Sequence, residues 1–193
     1  MKVKRFLVSV WLGLVLSAVS SGQEVKVEQN GYVKATRTYQ PVKQLDFELE
    51  VPASVSQVWE ALSTTGGLIT WLGPEASVQL KKGGDWLVRF PGSSAGGGTV
   101  LSFVPGQRLE LGAMAPEAFP TVRRERTRAV FEIRAKGQTT VVHLTQSGWK
   151  SGEEWDRAFE YLAKGNCQLL NALHDRFANG PVDWKPILKG LAK

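Results

Sequence analysis

The sequence of 193 residues contains one cysteine and two histidines, so it has few of the side chains that carry catalysis or bind metal ions. Cys167 stands alone, which excludes a disulfide within the chain, and we expect a buried, unreactive thiol. His143 is predicted to face solvent on a strand, and His174 lies about 100° from the apolar stripe of a helix. No Cys-x-x-Cys or His-x-x-x-His pattern is present. Gly92-Ser93-Ser94-Ala95-Gly96 matches Gly-x-Ser-x-Gly in residue type, but it lies in a glycine-rich segment where we expect a flexible connection and not a nucleophile elbow. We therefore predict no catalytic residues, no metal ligands, no cofactor and no enzymatic activity.

A nucleic-acid signature is also missing. Positive charge clusters once, in four arginines close together in the sequence: Arg123, Arg124, Arg126 and Arg128. Acidic residues interrupt the cluster, and no aromatic side chains are interleaved with it, as a single-strand site would require. We favour a solvated strand edge over an anionic-surface or nucleic-acid site, and so predict no nucleic-acid partner. The glycine-rich segment 92–98 is not followed by Gly-Lys-Ser or Gly-Lys-Thr, so we expect a flexible connection and not a phosphate loop.

The N-terminus has the composition of a secretory signal peptide. Lys2, Lys4 and Arg5 precede an acid-free apolar run over residues 6–19, and small residues follow at 20–22. The run is shorter than the ~20 apolar residues that cross a bilayer. We predict cleavage after residue 22 and a secreted or periplasmic protein with no stable membrane insertion; retention as an N-terminal anchor is the alternative. Cleavage would lower the formal net charge from +6 to +3.

The spacing of apolar residues divides the rest of the chain into a domain with two flanking segments. Residues 23–41 are polar with loose alternation, and we predict a linker or an extra edge strand. The domain is predicted over residues 42–180, and strict alternation over residues 45–51 marks its first strand. Residues 181–193 form a basic tail that we expect to be a short docked turn or disordered. Neither flanking segment carries enough periodic apolar residues for us to expect it in the core.

Two short helices and a meander of strands are predicted next. Ser54 is a candidate N-cap for the first helix, Gly66 and Gly67 are expected to end it, and a second helix is expected over residues 68–72. Six strands follow, separated mostly by glycine or proline: 77–80, 85–90, 99–104, 108–114, 126–135 and 139–146. Their alternation predicts an antiparallel sheet with one buried face and one solvated face.

A long C-terminal helix is predicted over residues 153–178. Its apolar residues fall on one stripe at spacings of three, four and seven: Trp155, Phe159, Leu162, Leu169, Leu170, Leu173 and Phe177. At 1.5 Å per residue the helix would run ~39 Å, which is long enough to cross the concave face of the sheet. Glu153 and Glu154 at its start are interpreted as charges that favour the helix N-terminus, and not as an acid/base pair.

Several short signatures occur in a fixed order along the domain. They are residues 54–62 with Trp59, Thr70-Trp71-Leu72-Gly73-Pro74, Gly83-Gly84, Gly98-Thr99-Val100, residues 105–109, and residues 140–149 before the long helix. In this order the chain resembles the START-like (SRPBCC) superfamily, and within it the family named for the C-terminal domain of the activator of the ninety-kilodalton heat-shock protein's ATPase. The resemblance implies an α+β helix-grip fold, in which a curved antiparallel sheet wraps around the long helix with an apolar cavity between them.

The cavity implied by the resemblance is the candidate binding site. We predict that it is lined by aromatic and aliphatic walls and one central amide: Trp71, Trp86, Phe131, Trp155, Phe159, Leu162 and Asn166. For the tryptophans, ordinary core packing is the competing interpretation.

Two positions depart from the family's pattern. Gly165-Asn166 stands where the family often has Gly-Trp, and Thr145-Gln146 stands where it often has Thr-His. Helical geometry places Asn166 ~20° from the axis of the apolar stripe, where an unpaired buried amide would cost ~1–3 kcal/mol. Asn166 therefore needs a protein, water or ligand partner, and the missing indole leaves volume in the cavity.

These observations favour an exported, non-enzymatic START-like domain that binds an apolar or amphipathic small molecule between the sheet and the C-terminal helix. A co-chaperone-like module with a protein partner is the alternative that the family resemblance suggests. A cyclase- or hydrolase-like enzyme is a third possibility, which the missing acid/base groups disfavour.

Overall fold

Within residues 24–191, which the computed structural model describes, one antiparallel sheet of nine strands curves around a long helix. The strands are β1 (Val25–Asn30), β2 (Val33–Thr38), β3 (Gln44–Val51), β4 (Glu75–Val78), β5 (Asp85–Arg89), β6 (Gly96–Val104), β7 (Arg108–Met114), β8 (Thr127–Lys136) and β9 (Thr139–Ser147). The helices are α1 (Val55–Ser63), α2 (Thr65–Ile69), α3 (Pro120–Glu125), α4 (Glu153–Asn179) and α5 (Trp184–Leu191). The predicted signal peptide, residues 1–22, lies outside the described residues. No helix within the described range is long and apolar enough to cross a membrane.

The strands lie in the order β1-β2-β3-β9-β8-β7-β6-β5-β4, and each neighbouring pair is antiparallel. Because side chains alternate between the two faces of a sheet, the apolar residues collect on the face that α4 covers. Leu45, Phe47 and Leu49 of β3 are at most 1% exposed, as their alternation predicts. The predicted α+β helix-grip architecture is confirmed.

The hairpin of β1 and β2 extends the sheet beside β3. Val33 and Ala35 of β2 are buried in the main core. Arg37, the next inward residue, is buried as well, and its guanidinium lies 2.8 Å from the carboxylate of Glu28 on β1. The prediction that residues 23–41 lie outside the core is therefore wrong. An arginine at an inward position interrupts the apolar alternation, and its neutralising partner lies on another strand.

Two glycine clusters have roles other than those predicted. Ser54 caps α1 as expected, in a capping box with Gln57, but α1 already ends at Ser63. Gly67 then lies inside α2, where a Cβ atom would be 2.1 Å from the backbone oxygen of Glu60. The predicted flexible connection also stops short, because β6 begins at Gly96. A Cβ atom at Gly97 of β6 would likewise be 2.1 Å from the backbone oxygen of Trp86. At Gly67 and Gly97 the missing side chain therefore permits a close approach of two backbone segments, and does not break an element.

Helix α3 was not predicted, and it explains part of the arginine cluster. Arg123 and Arg124 lie on α3, and β8 lies in the middle of the sheet, so the prediction of a solvated strand edge is wrong. Glu154 at the start of α4 accepts hydrogen bonds from the backbone nitrogens of Thr121 and Val122, at 2.6 and 3.1 Å. Burial would raise the pKa of Glu154, but these bonds outweigh it and lower the pKa. Glu154 therefore serves as a cap for a neighbouring helix.

The long helix and the C-terminal tail complete the fold. Helix α4 begins at the predicted residue and ends one residue later than predicted. The tail forms α5, which is docked through Trp184: the indole nitrogen donates to the backbone oxygen of Ile69 at 2.5 Å. The Trp184 ring also packs edge-on against Phe90 of the segment after β5. The tail is thus an ordered helix that covers the sheet end near β5.

Candidate functional site

A cavity of about 420 Å³ lies between the inner face of the sheet and the middle of α4. Its walls come mainly from β5, β7, β8, β9 and one face of α4. Four of its lining residues are solvent-exposed: Ser93, Ser94, Gly96 and Glu117. We call this exposed end, between the β5–β6 and β7–α3 connections, the mouth.

Four of the seven predicted site residues line the cavity. Trp86 and Phe131 form part of the sheet wall, with ring centroids 6.5 Å apart. The indole nitrogen of Trp86 donates to the backbone oxygen of Leu62 at 2.6 Å, which fixes the ring in place. Leu162 and Asn166 contribute from α4. Helical and strand periodicity therefore brings these residues to a common space.

The other three predicted residues are buried elsewhere and do not line the cavity. Trp71 is 2% exposed and donates to the backbone oxygen of Ala61 at 3.0 Å, beneath α1. Trp155 belongs to a smaller core formed with α3. Phe159 packs against Tyr39 and Trp149, about two turns before Asn166 along α4. The apolar stripe of α4 is long enough to face different neighbours along its length, so membership of the stripe does not identify the residues that line the cavity.

A chain of side-chain hydrogen bonds crosses from α4 to the sheet. The amide nitrogen of Asn166 donates to the side-chain oxygen of Gln146 at 2.7 Å, and the amide nitrogen of Gln146 donates to the hydroxyl of Thr127 at 2.7 Å. Gln146 and Thr127 are at most 4% exposed, whereas Asn166 is half-buried on the cavity wall. The partner that Asn166 requires is therefore Gln146. The two positions that depart from the family's sequence pattern are bonded to each other.

The side-chain oxygen of Asn166 is free for a further interaction. It accepts no hydrogen bond from any residue in the range 24–191, while Asn166 itself lines the cavity. A carbonyl oxygen in this position can accept a hydrogen bond from a molecule in the cavity. Few polar groups among apolar walls are typical of small-molecule sites.

Gly165 leaves part of the helix wall open. It lines the cavity next to Asn166, and a Cβ atom at this position would meet no other atom within 4 Å. Glycine inside a helix costs about 1 kcal/mol relative to alanine, so the sequence sacrifices helix stability at this point. A glycine inside a strong helical pattern was the signal in the sequence that could have identified this residue.

Arg123 of α3 lies at the mouth and was not predicted as a site residue. Its two terminal nitrogens donate to the backbone oxygens of Ala115 and Ala95, at 2.7 and 3.0 Å. These bonds connect the segment after β7 to the segment before β6. Arg123 also lines the cavity, so it brings a positive charge to the mouth.

The candidate catalytic groups lie away from the cavity. His143 is on the outer face of the sheet, 3.7 Å from Asp46 and 3.8 Å from Glu132. His174 stacks on Tyr32 with ring centroids 3.6 Å apart. Cys167 is buried in the core, as predicted, and burial raises the pKa of its thiol. Among the described residues no group of three His, Cys, Asp or Glu side chains could hold a metal ion.

The fold and the cavity place the chain in the START-like class, whose members are ligand-binding or interaction modules. Residues 52–178 match the family described as Activator of Hsp90 ATPase homolog 1-like protein. Because the match covers more than half of the sequence, the chain belongs to this family. Comparison with curated proteins gives no significant match.

Solved structures share the fold at low sequence identity. The Aha1 dimer from Colwellia psychrerythraea is 20% identical, with a TM-score of 0.58 over 71% of this chain and 97% of that chain. MLL2253 from Mesorhizobium loti is 16% identical, with a TM-score of 0.59 over 72% and 99%. CalU16 from Micromonospora echinospora is 16% identical, with a TM-score of 0.55 over 90% and 92%. At these identities the likeness concerns the fold alone.

Proposed function

We propose that the chain is an exported, non-enzymatic START-like domain that holds an apolar or amphipathic small molecule between the sheet and α4. The observation that carries this proposal is the cavity of about 420 Å³ with apolar walls. This volume lies in the range of about 300–1,000 Å³ that small-molecule sites occupy. Rigid aromatic walls and a single amide at the helix would orient such a molecule without reacting with it.

The positions of the polar groups support binding over catalysis. Within the described part of the chain, both histidines and the cysteine lie outside the cavity lining, and Glu154 is engaged as a helix cap. The cavity offers a carboxylate from Glu117 and a guanidinium from Arg123, both near the mouth. General acid/base catalysis needs a proton-transfer group within hydrogen-bond reach of the reacting atom, and the apolar interior provides none in the described residues.

The outer face of the sheet gives less support to a protein partner. It carries an ion cluster in which Glu110 accepts hydrogen bonds from Arg128 and Ser102, at 2.5 and 2.8 Å. Charged residues are depleted at the centres of protein interfaces, where aromatic side chains are enriched. A protein partner remains the competing function, and the mass-spectrometric test below is able to detect one.

Export is the second part of the proposal and is supported by the sequence of residues 1–22. The intact mass of protein from the cell envelope or medium should correspond to a chain that begins near Gln23. A full-length mass in the membrane fraction would favour an N-terminal anchor.

Native mass spectrometry of protein purified from its own cells tests the binding function. We expect a mass excess of a few hundred daltons that disappears on denaturation, together with the mass of a released small molecule. A ligand-free protein that carries a stoichiometric protein partner would contradict the proposal and support an interaction module.

A further inference from the structure

Gln146 lines the cavity at one end of the sheet, and its amide is hydrogen-bonded to Thr127, which lies outside the lining. Thr127 is the first residue of β8, and Gln146 lies one residue before the end of β9. The register then runs inward, with Ala129 opposite Gln146 and Phe131 opposite Leu144. The next residues of β8 and β9 on the inner face, Ala129, Phe131 and Leu144, are therefore all apolar. The cavity has a polar end and an apolar interior.

Arg123 lies at this same polar end. Its hydrogen bonds reach the connection that precedes β6 and the connection that follows β7, both at the mouth. Both acceptors are backbone oxygens, and no carboxylate of the described chain lies within ion-pair distance of its guanidinium. A guanidinium carries five N–H donors, so Arg123 retains donors for a further acceptor.

A second unpaired guanidinium follows three residues later. The side chain of Arg126 makes no hydrogen bond or ion pair within residues 24–191, and one of its terminal nitrogens is buried without a partner. Burial and the positive charge of Arg123 both lower the pKa of Arg126. Arg126 lies at the junction of α3 and β8, three residues after Arg123, so its unpaired positive charge belongs to the same end of the sheet.

We propose that the cavity takes an amphipathic anion, with its apolar body between the sheet and α4 and its acidic headgroup at the mouth on Arg123, where Arg126 adds positive potential. This inference rests on the proposed binding function and specifies the class of ligand. A carboxylate, sulfonate or phosphate headgroup would accept charge-assisted hydrogen bonds from the remaining N–H donors of Arg123. Asn166 would contact the body of the ligand further along α4.

The other charged groups near the mouth leave this preference intact. Glu117 is exposed and lies outside ion-pair distance of Arg123 within the described residues, so its charge is solvated. Arg124 is exposed and does not line the cavity; it pairs with Glu125 at 3.4 Å, and Lys150 pairs with the same carboxylate at 2.6 Å. Arg124 is therefore a matched control, since it lies on the same helix turn but outside the site.

A pair of fluorescent probes separates the headgroup from the cavity. N-phenyl-1-naphthylamine is neutral, and 1-anilinonaphthalene-8-sulfonate has the same ring system with one sulfonate. Both are titrated into the purified wild-type protein and into Arg123→Gln, Arg123→Lys, Arg126→Gln and Arg124→Gln, with circular dichroism as a check of folding. We expect Arg123→Gln to weaken sulfonate binding about 10- to 100-fold and to change neutral binding less than twofold. Arg126→Gln should weaken sulfonate binding by a smaller factor, and Arg124→Gln should change neither probe.

The outcomes distinguish a failure of the anion preference from a failure of the binding function itself. Equal weakening of both probes in Arg123→Gln would show that Arg123 acts as a brace between the two connections, and would overturn the anion preference while leaving the binding function intact. No effect on either probe would overturn it as well. If neither probe binds the wild-type protein, the binding function itself fails. Partial recovery of sulfonate binding in Arg123→Lys would support the role of charge.

Discussion

The bond between Asn166 and Gln146 allows a quantitative test of the polar chain. Asn166→Leu leaves the side-chain oxygen of Gln146 without its donor, at a site where Gln146 is 3% exposed. An unsatisfied buried acceptor costs about 1–3 kcal/mol, so the free energy of unfolding should fall by this amount. The thermal midpoint should fall by about 2–4 °C for each kcal/mol in a chain of this size.

A double-mutant cycle isolates the interaction. Gln146→Met removes the acceptor and keeps the shape, so the double variant Asn166→Leu/Gln146→Met should be less destabilised than the two single effects together predict. We expect a coupling of about 1 kcal/mol or more, measured by urea unfolding at pH 7. As a control, Asn171 on the same helix bonds to the backbone of Asn30 and Tyr32. Asn171→Ala and Gln146→Met should be additive to within about 0.5 kcal/mol. Additivity of the Asn166 and Gln146 variants would refute the argument.

Two further predictions follow from the outer face and from the hairpin. Hydrogen bonds, the most important of them from Arg128, hold the pKa of Glu110 at about 2, below its ordinary value of 4.5. The stabilisation that ionised Glu110 gives the folded state is therefore present above pH 4.5 and is lost as the pH falls towards 2. Glu110→Gln should therefore lower the free energy of unfolding by about 1–3 kcal/mol at pH 7. The difference in urea midpoint between the wild-type protein and this variant should disappear as the pH falls from 4.5 towards 2. A difference that does not depend on pH would contradict this. A chain that begins at Val42 should lose cooperative thermal unfolding, because it lacks Val33 and Ala35 of the main core. A sharp transition near that of the longer chain would show that the hairpin is dispensable.

Periodicity made most of the fold predictable from the sequence. The alternation of residues 45–51 and the stripe of α4 correspond to elements whose local pattern and tertiary environment agree. The hairpin was misjudged because Arg37 occupies an inward position, and only its contact with Glu28 on the neighbouring strand makes that burial tolerable. Gly97 was assigned to a flexible connection, whereas a Cβ atom there would be 2.1 Å from the backbone oxygen of Trp86. Both cases depend on partners that are distant in sequence.

Helical periodicity also made part of the site predictable. Helical angles placed Asn166 and Leu162 on the face of α4 that meets the sheet, and they line the cavity. The same angles could not distinguish the cavity from the packing surfaces of α3 and β2, so Trp155 and Phe159 were assigned to it as well. Arg123 was missed because α3 has no strong apolar period, and its role depends on backbone oxygens from two separate connections.

The most direct test of the central claim fills the cavity from Gly165. Gly165→Leu adds a side chain where a Cβ atom meets nothing within 4 Å, and Gly66→Leu makes the same change on an exposed helix position outside the cavity. Both variants should keep or slightly raise the thermal midpoint, because leucine favours the helix over glycine. The measurement is the dissociation constant of N-phenyl-1-naphthylamine. We predict binding to the wild-type protein and to Gly66→Leu, with at least about tenfold weaker binding to Gly165→Leu. Equal affinity in all three proteins would contradict a ligand site between the sheet and α4.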